Sequence, residues 1–266
     1  MKDKSNGFAD FFGIGISRYP DYFDADYAAD DCGRVAAVLR RTGLLRMELQ
    51  VTDAGSDSLP VRNRIFRAAR RFVQIADRRR PKIFYFAGHG ITLGQVLHIC
   101  PSDFDPIIAD KSAIDVSEFI AEFSTTSPWS IFVFDCCRAA LLSPTCHGAT
   151  SPASQLSGSM RIMDNSVLIF ACSNDEYALE AASIAGSQGG GIFTHYLVKE
   201  LERTFSKPNR LAVADVFERV REATSDFVAQ NADKRQVPRM FGAHGGDYFL
   251  VRRRPGSRKS VDAIGS

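Results

Sequence analysis

Two apolar runs of the sequence end in side chains that can do nucleophilic chemistry. The run KIFYFAG (82–88) leads into His89, and the run SIFVFDC (130–136) ends in Cys136 and leads into Cys137. A cysteine becomes a useful nucleophile when an imidazole favours its thiolate, and the same imidazole can then protonate a leaving amine. The pair therefore predicts covalent catalysis by a thiol, provided that the fold brings the two side chains together.

Length and composition predict a single globular domain. The chain has 266 residues, of which 45% are hydrophobic and 24% are charged, and a chain of this size can bury a full core. We predict one domain over residues 1–251 and a basic flexible tail over residues 252–266. The formal net charge of +2 gives no electrostatic reason to expect nucleic acid or a membrane surface as partner.

The location of the protein is predicted from what its sequence lacks. No apolar run is long enough to span a bilayer, and the first residues have no apolar segment followed by a small-residue cleavage site, so we expect a cytoplasmic protein. The cysteines show no regular spacing, which argues against a disulfide framework. They are Cys32, Cys100, Cys136, Cys137, Cys146 and Cys172.

Apolar runs alternate with helical patterns along the chain. The runs do not alternate apolar with polar residues, which is typical of strands that are covered on both faces. The alternation predicts an α/β fold, with a doubly wound, mostly parallel sheet and helices on both faces. Strands are predicted at 8–17, 47–53, 82–88, 130–136, 166–172 and 247–251, and helices at 26–43, 59–80, 191–204 and near 213–229.

The sequence also predicts how the second helix begins and where a site would form. Ser58 is predicted to cap the second helix, with Pro60 in its first turn.

His89 and Cys137 follow neighbouring strands, and ligands of such sheets bind beyond the carboxyl ends of the strands. Glycines beside the histidine allow close backbone approach, so the backbone amides of Gly90 and Cys137 are candidate donors to an oxyanion.

The two motifs resemble those of a known group of enzymes. A strand ending in Gly-His-Gly, followed by a strand ending in Asp-x-Cys-Arg, is similar to the caspase-like cysteine peptidases, which include caspases, metacaspases and bacterial relatives. In DCCRAA the cysteine directly before the arginine is Cys137, which matches the nucleophile, and Cys136 matches the variable position. The resemblance extends over about 8–250 and includes FGIGISRY, DDCGRVAAVLR, ICPSD and GGGIFTHYLVKEL.

The resemblance also implies a substrate class. Asp135 matches the metacaspase aspartate two residues before the nucleophile, Asp31 the aspartate that heads the first helix, and Asp115 the one that opens a later helix. Converging carboxylates favour a guanidinium or ammonium group, so we expect cleavage of a protein or peptide after Arg or Lys. Within the segment at 171–182, Ser173 and Asp175 are implied substrate contacts.

Further expectations follow from the same resemblance. The Ser-rich and Pro-rich segment at 141–160 is where such enzymes are often cut on activation, so Arg161 is a candidate site of autoprocessing. The acidic calcium-binding stretch of many metacaspases is missing between His89 and the ICPSD segment, so the sequence gives no reason to predict calcium dependence. We predict no metal site and no cofactor. A separate activating or sensor protein is implied, as is a role in defence or cell death. Ala139 and Ala140 stand where relatives have a glycine.

Several other functions were weighed against this one. The arginines at 62–80 are more typical of a solvated helix face than of a nucleic-acid site. Cys136, Cys137, Cys146 and His147 lack the paired spacing of a zinc site. The glycines at 13–15 and 187–193 lack the remaining residues of a nucleotide fingerprint. Two alternatives stay open, a catalytically silent caspase-homology module that recruits partners, and acyl transfer by a Cys-His pair on another α/β scaffold.

Overall fold

A central sheet organises the protein, and the computed structural model of the chain describes residues 9–55, 58–94, 96–137, 165–174, 176–205, 210–242 and 249–251. In chain order the strands are β1 (Ala9–Gly15), β2 (Leu45–Thr52), β3 (Lys82–Ala87), β4 (Gly90–Leu93), β5 (Val96–Ile99), β6 (Ile114–Asp115), β7 (Ser130–Asp135), β8 (Ser166–Phe170), β9 (Glu180–Ile184), β10 (Ser187–Gly191), β11 (Arg210–Ala212), β12 (Arg239–Gly242) and β13 (Phe249–Val251). The helices are α1 (Ala28–Arg41), α2 (Arg62–Ile75), α3 (Ala109–Ser112), α4 (Val116–Thr125), α5 (Ile192–Phe205) and α6 (Val213–Asn231), with a short 3-10 helix at Pro106–Ile108.

The central sheet has six strands in the order β12-β8-β7-β3-β1-β2. β1 pairs in parallel with β2 and β3, and β7 pairs in parallel with β3 and β8. Only β12 runs antiparallel to its neighbour, β8, at one edge of this sheet. The prediction of a mostly parallel α/β sheet flanked by helices is confirmed, and each of the first five predicted strands contributes to it.

Helices cover both faces of the sheet, which explains why its inner strands are apolar at most positions. Successive residues of a strand point to opposite faces, so Phe84 and Tyr85 belong to different layers. Phe84 packs against Phe123 of α4, with ring centroids 5.8 Å apart, in the layer that also contains α2. Tyr85 lies in the opposite layer with Val35 of α1 and Phe193 of α5. Among the described residues, no helix combines the length and apolar character needed to cross a bilayer.

The start of α2 differs from the prediction. The helix begins at Arg62, and its N-cap residue is Val61, whose side chain makes no capping hydrogen bond. The prediction of Ser58 as N-cap is therefore wrong. The Arg62 backbone N–H instead donates to Oδ1 of Asp103, at 2.8 Å. A carboxylate distant in sequence thus satisfies one of the free N–H groups at the helix start.

Two small sheets were not predicted, and both border the site described below. β4, which begins directly after His89, forms a three-stranded antiparallel sheet with β5 and β6. β9 and β10 form a hairpin joined at Ala185 and Gly186, and β10 leads directly into α5. Their strands are short and partly exposed, so they lack the long apolar runs by which the central strands were recognised.

Candidate active site

His89 and Cys137 extend from the same edge of the central sheet. Ala87, the last residue of β3, pairs with Asp135, the last residue of β7. His89 and Cys137 each lie two residues beyond this pair, and paired strands are about 4.8 Å apart. The two side chains therefore reach the same space, and both line one cleft.

The cleft opens where the direction of chain connections changes. β2 lies on one side of β1 and β3 lies on the other side. The connections that leave the carboxyl ends of β1 and β3 therefore diverge, and such divergence creates a crevice at the sheet edge. The connection from β1 to α1 lies over the imidazole of His89, as the following contacts show.

The connection between β1 and α1 fixes the His89 ring. Nε2 lies 2.6 Å from the carbonyl oxygen of Phe23, so we assign the ring proton to Nε2, which donates to Phe23. The rings of Tyr19 and Tyr22 pack against the imidazole, with centroids at 4.7 Å and 5.2 Å. Because Nε2–H is held by Phe23, Nδ1 carries the lone pair and can accept a proton.

The backbone around His89 is fixed as well. The His89 N–H donates to the Tyr19 hydroxyl at 2.9 Å, and that hydroxyl donates to the carbonyl of Cys100 at 3.2 Å. Gly88 has φ of 144°, and a Cβ built there would lie 2.6 Å from the Tyr19 hydroxyl oxygen. Only glycine combines this conformation with such close approach.

The surroundings of Cys137 and His89 disfavour the charged form of each side chain. Burial raises the pKa of the Cys137 thiol, and the carboxylates of Asp135 and Glu180 add to this effect. Burial also lowers the pKa of His89. These shifts favour a thiol and a neutral imidazole as the resting forms of the two side chains.

Two buried aspartates form the inner wall of the cleft. Asp31, in the first turn of α1, is 1% exposed, and Asp135 is 7% exposed. Oδ2 of Asp31 accepts a hydrogen bond from the Gly191 N–H at 2.6 Å, and Oδ1 accepts one from Nη1 of Arg34 at 2.9 Å. Oδ2 of Asp135 accepts a hydrogen bond from the Thr194 hydroxyl at 2.6 Å.

The two carboxylates converge on one point beside Gly191. A Cβ built on Gly191 would lie 2.8 Å from Oδ2 of Asp31 and 2.9 Å from Oδ2 of Asp135. The absence of a side chain at this position therefore keeps the space between the carboxylates open. A planar cation that entered this space would meet acceptor oxygens from both sides.

Burial, together with the charge of Asp31 on its neighbours, raises the pKa values of these carboxyl groups. Burial raises the pKa of Asp31 to about 6. Burial, with the Asp31 charge as the second cause, raises the pKa of Asp135 to about 7. The same two causes raise the pKa of Glu180, at the rim, to about 7. Because the Glu180 side chain meets solvent, we expect screening to weaken its shift relative to the buried pair.

The outer part of the cleft has a different character. The cavity has a volume of about 260 Å³, and its lining includes Tyr177 and Lys234 near the thiol. The Lys234 ammonium lies 5.3 Å from the centroid of the Tyr177 ring. The outer part therefore carries a positive charge, whereas the inner wall carries carboxylates. The charge of Lys234 lowers the pKa of Cys137, which opposes the increase caused by burial and by Asp135 and Glu180.

The structure brings four of the predicted site residues together. His89, Cys137, Asp31 and Asp135 all line the cleft. Gly90 adjoins them, because a Cβ built there would lie 2.8 Å from the Cys137 carbonyl oxygen.

Two other predicted contacts lie elsewhere. Oδ1 of Asp115 caps α4 by accepting the N–H of Ser117, and Asp115 does not line the cleft. The Ser173 hydroxyl donates to the carbonyl of Val237 and also lies outside the lining. Asp175 and Arg161 lie outside the described residues.

Sequence reasoning missed several residues of this site. Glu180 belongs to the segment predicted to line the pocket, but Ser173 and Asp175 were chosen there instead. Thr194 belongs to the quoted GGGIFT motif, and it connects Asp135 to the hydroxyl of Tyr85, whose oxygen lies 2.6 Å from Oγ1 of Thr194. The Phe23 carbonyl has no sequence signal, because any residue provides a carbonyl.

The fold and the site define a class of protein. A thiol and an imidazole share a cleft at the carboxyl edge of a mostly parallel sheet, as nucleophilic catalysis by cysteine requires. The sequence model of the caspase domain matches residues 13–249, so the chain belongs to the caspase-domain family, whose members are caspase-like cysteine peptidases. No curated protein matches the chain.

Proposed function

We propose that the protein is a cysteine endopeptidase in which Cys137 and His89 form the catalytic dyad and which cleaves protein substrates after Arg or Lys. One observation carries the proposal, namely that the thiol and the imidazole share their cleft with two buried carboxylates that converge beside Gly191. The negative charge of these carboxylates would reject an acidic side chain of the substrate and accept a basic one.

The proposed reaction follows the protonation states of the resting pair. Nδ1 of His89 takes the thiol proton while Sγ of Cys137 attacks the carbonyl carbon of the scissile bond. The electron pair of the carbonyl moves onto its oxygen, which the backbone N–H groups of Gly90 and Cys137 stabilise. Breakdown of this intermediate cleaves the C–N bond, and His89 gives its proton to the leaving amine. A water molecule, deprotonated by His89, then hydrolyses the thioester and restores the thiol.

Specificity is proposed to reside in the three carboxyl groups. The guanidinium of a substrate arginine would lie between Asp31 and Asp135, where its fork of N–H groups can donate to both. Glu180 would add attraction at the rim. A bound cation would lower the pKa of each carboxyl group and so draw them into the ionised state.

The wider setting is part of the proposal and rests on family resemblance. We propose a cytoplasmic enzyme that a separate activating or sensor protein controls in a defence or cell-death pathway. Autoprocessing near Arg161 is proposed on the same basis. Intact-mass measurement of a fully active sample would show two fragments, whereas a single uncut chain would exclude this processing.

Cleavage of fluorogenic peptides tests the function. Peptides that end in Arg, Lys or Asp are compared on the wild-type protein, Cys137→Ala and Cys136→Ala. We expect turnover after Arg and Lys that falls by about a thousandfold or more in Cys137→Ala. Cys136 is buried and lies outside the cleft lining, so Cys136→Ala controls for loss of a neighbouring thiol.

The outcomes separate the proposed enzyme from its alternatives. Equal turnover by Cys137→Ala and wild type would refute the nucleophile. Preference for the peptide that ends in Asp would refute the basic pocket. Inactivity on all three peptides, together with failure of a peptide aldehyde ending in Arg to label Cys137, would favour a silent recruiting module.

A further inference from the structure

A second cleft lies between α1, α5 and the β9–β10 hairpin. Its volume is about 450 Å³, and none of its lining residues lines the cleft of Cys137. The volume falls in the usual range for small-molecule sites. The charged and polar side chains that line it include Arg34, Arg41, Gln188, His195, Lys199 and Glu202.

Positive charge predominates in this second cleft. Arg34 and Arg41 are two helical turns apart and face it from α1, and Lys199 faces it from α5. Glu202 is the one carboxylate among the lining residues, and it forms an ion pair with Arg41 at the exposed edge. The Lys199 ammonium lies 5.7 Å from the ring centroid of Tyr196.

A buried histidine adds an independent indication of a ligand. His195 lines the second cleft, is 7% exposed, and has no hydrogen-bond partner for Nδ1 among the described residues. Burial lowers its pKa, and the charges of Arg34 and Lys199 lower it further, so the positive potential of these groups converges on the imidazole. In the tautomer with the ring proton on Nδ1, this nitrogen is a buried donor without an acceptor, and an anion would supply the missing acceptor.

We propose that the second cleft binds a small multivalent oxyanion of the phosphate class. Guanidinium groups pair with phosphate oxygens through two parallel hydrogen bonds, and the ammonium of Lys199 supplies a further point charge. The hairpin adds the neutral donor Gln188. A free phosphate compound and a phosphate group on a larger molecule share this chemistry.

Arg34 connects the second cleft with the acidic pocket. Its Nη1 donates to Oδ1 of Asp31 at 2.9 Å, and its side chain is 28% exposed. An anion in the second cleft would compete with Asp31 for this guanidinium. Release of Asp31 would leave its carboxylate free for a substrate cation, so anion binding would promote substrate binding. This coupling rests on the proposed function, whereas the anion site does not.

Calorimetric titration with pyrophosphate tests the site without any need for activity. We expect binding to the full chain that weakens by about tenfold or more in the double variant Arg41→Gln and Lys199→Met, because two charged contacts are lost. Both side chains are exposed, so the fold should tolerate the changes. The matched control, Arg67→Gln with Arg71→Gln, removes the same charge from the exposed face of α2. Absence of binding, or equal weakening in both double variants, would overturn the site.

The coupling between the two clefts is tested on the same proteins. We expect saturating pyrophosphate to lower KM for a peptide that ends in Arg by about threefold, and to have no such effect in the Arg41→Gln and Lys199→Met variant. An unchanged KM with calorimetric binding intact would overturn the coupling. If no basic peptide is cleaved or bound, the proposed function fails, and the pyrophosphate titration still decides the anion site.

Discussion

Binding of a basic substrate should be strongly linked to pH through the two buried aspartates. Asp31, with a pKa of about 6, and Asp135, with a pKa of about 7, are largely protonated at about pH 5 and ionised at about pH 8. A cationic side chain prefers the ionised pocket, so binding has to release protons at low pH. Affinity therefore rises as pH increases through this window.

The size of the effect follows from the ionised fractions. If only the doubly ionised pocket bound arginine, affinity would change by about a thousandfold between these pH values. The two carboxyl groups titrate as a coupled pair, and a singly ionised pocket still attracts a cation. We therefore expect affinity to change by about a hundredfold over this pH range. At about pH 6, binding should release about one proton.

The assay uses Cys137→Ala, which we expect to bind peptide without turnover and which removes the thiol from the titration. Fluorescence anisotropy measures affinity for a peptide that ends in Arg across the pH range, and calorimetry in two buffers of different ionisation enthalpy counts the protons. The same peptide with citrulline, a neutral isostere of arginine, is the control. Affinity that is independent of pH, or an equal pH dependence for both peptides, would refute the reasoning.

Three further substitutions test separate parts of the site. Gly191→Ala places a methyl group between the two carboxylates, so KM for Arg peptides should rise by about tenfold or more while thiol alkylation is unchanged; an unaltered KM would contradict the pocket geometry. Tyr19→Phe removes the acceptor of the His89 N–H, so kcat should fall and the free energy of unfolding should decrease by about 1–3 kcal/mol, measured by urea denaturation. Lys234→Gln removes a charge that lowers the pKa of Cys137, so the pH midpoint of iodoacetamide labelling should move upward; a downward movement would reverse the assigned role.

The sequence by itself determined the central sheet and the placement of His89 and Cys137 at one edge of it. The runs at β1, β3, β7 and β8 are apolar at nearly every position because both of their faces are covered, and this pattern is local. His89 and Cys137 follow two of these runs, and parallel strands place their carboxyl ends at one edge. The order of residues therefore sufficed to predict a shared cleft.

Contacts between distant segments decided the rest. Whether an aspartate lines a pocket or caps a helix depends on its surroundings, and the same residue type does the first at Asp31 and the second at Asp115. The start of α2 also depends on a distant segment, because the carboxylate of Asp103, and not Ser58, accepts a backbone N–H there.

The least predictable feature is the contact that orients the imidazole of His89. His89 is held by the Phe23 carbonyl, and every residue has such a group, so no side-chain pattern marks it. The raised pKa of Asp31 likewise arises from burial, and that of Asp135 from burial and from the charge of Asp31, neither of which a linear sequence contains. Residue types and strand order thus fix which groups are available, and packing fixes the orientation and charge state in which they act.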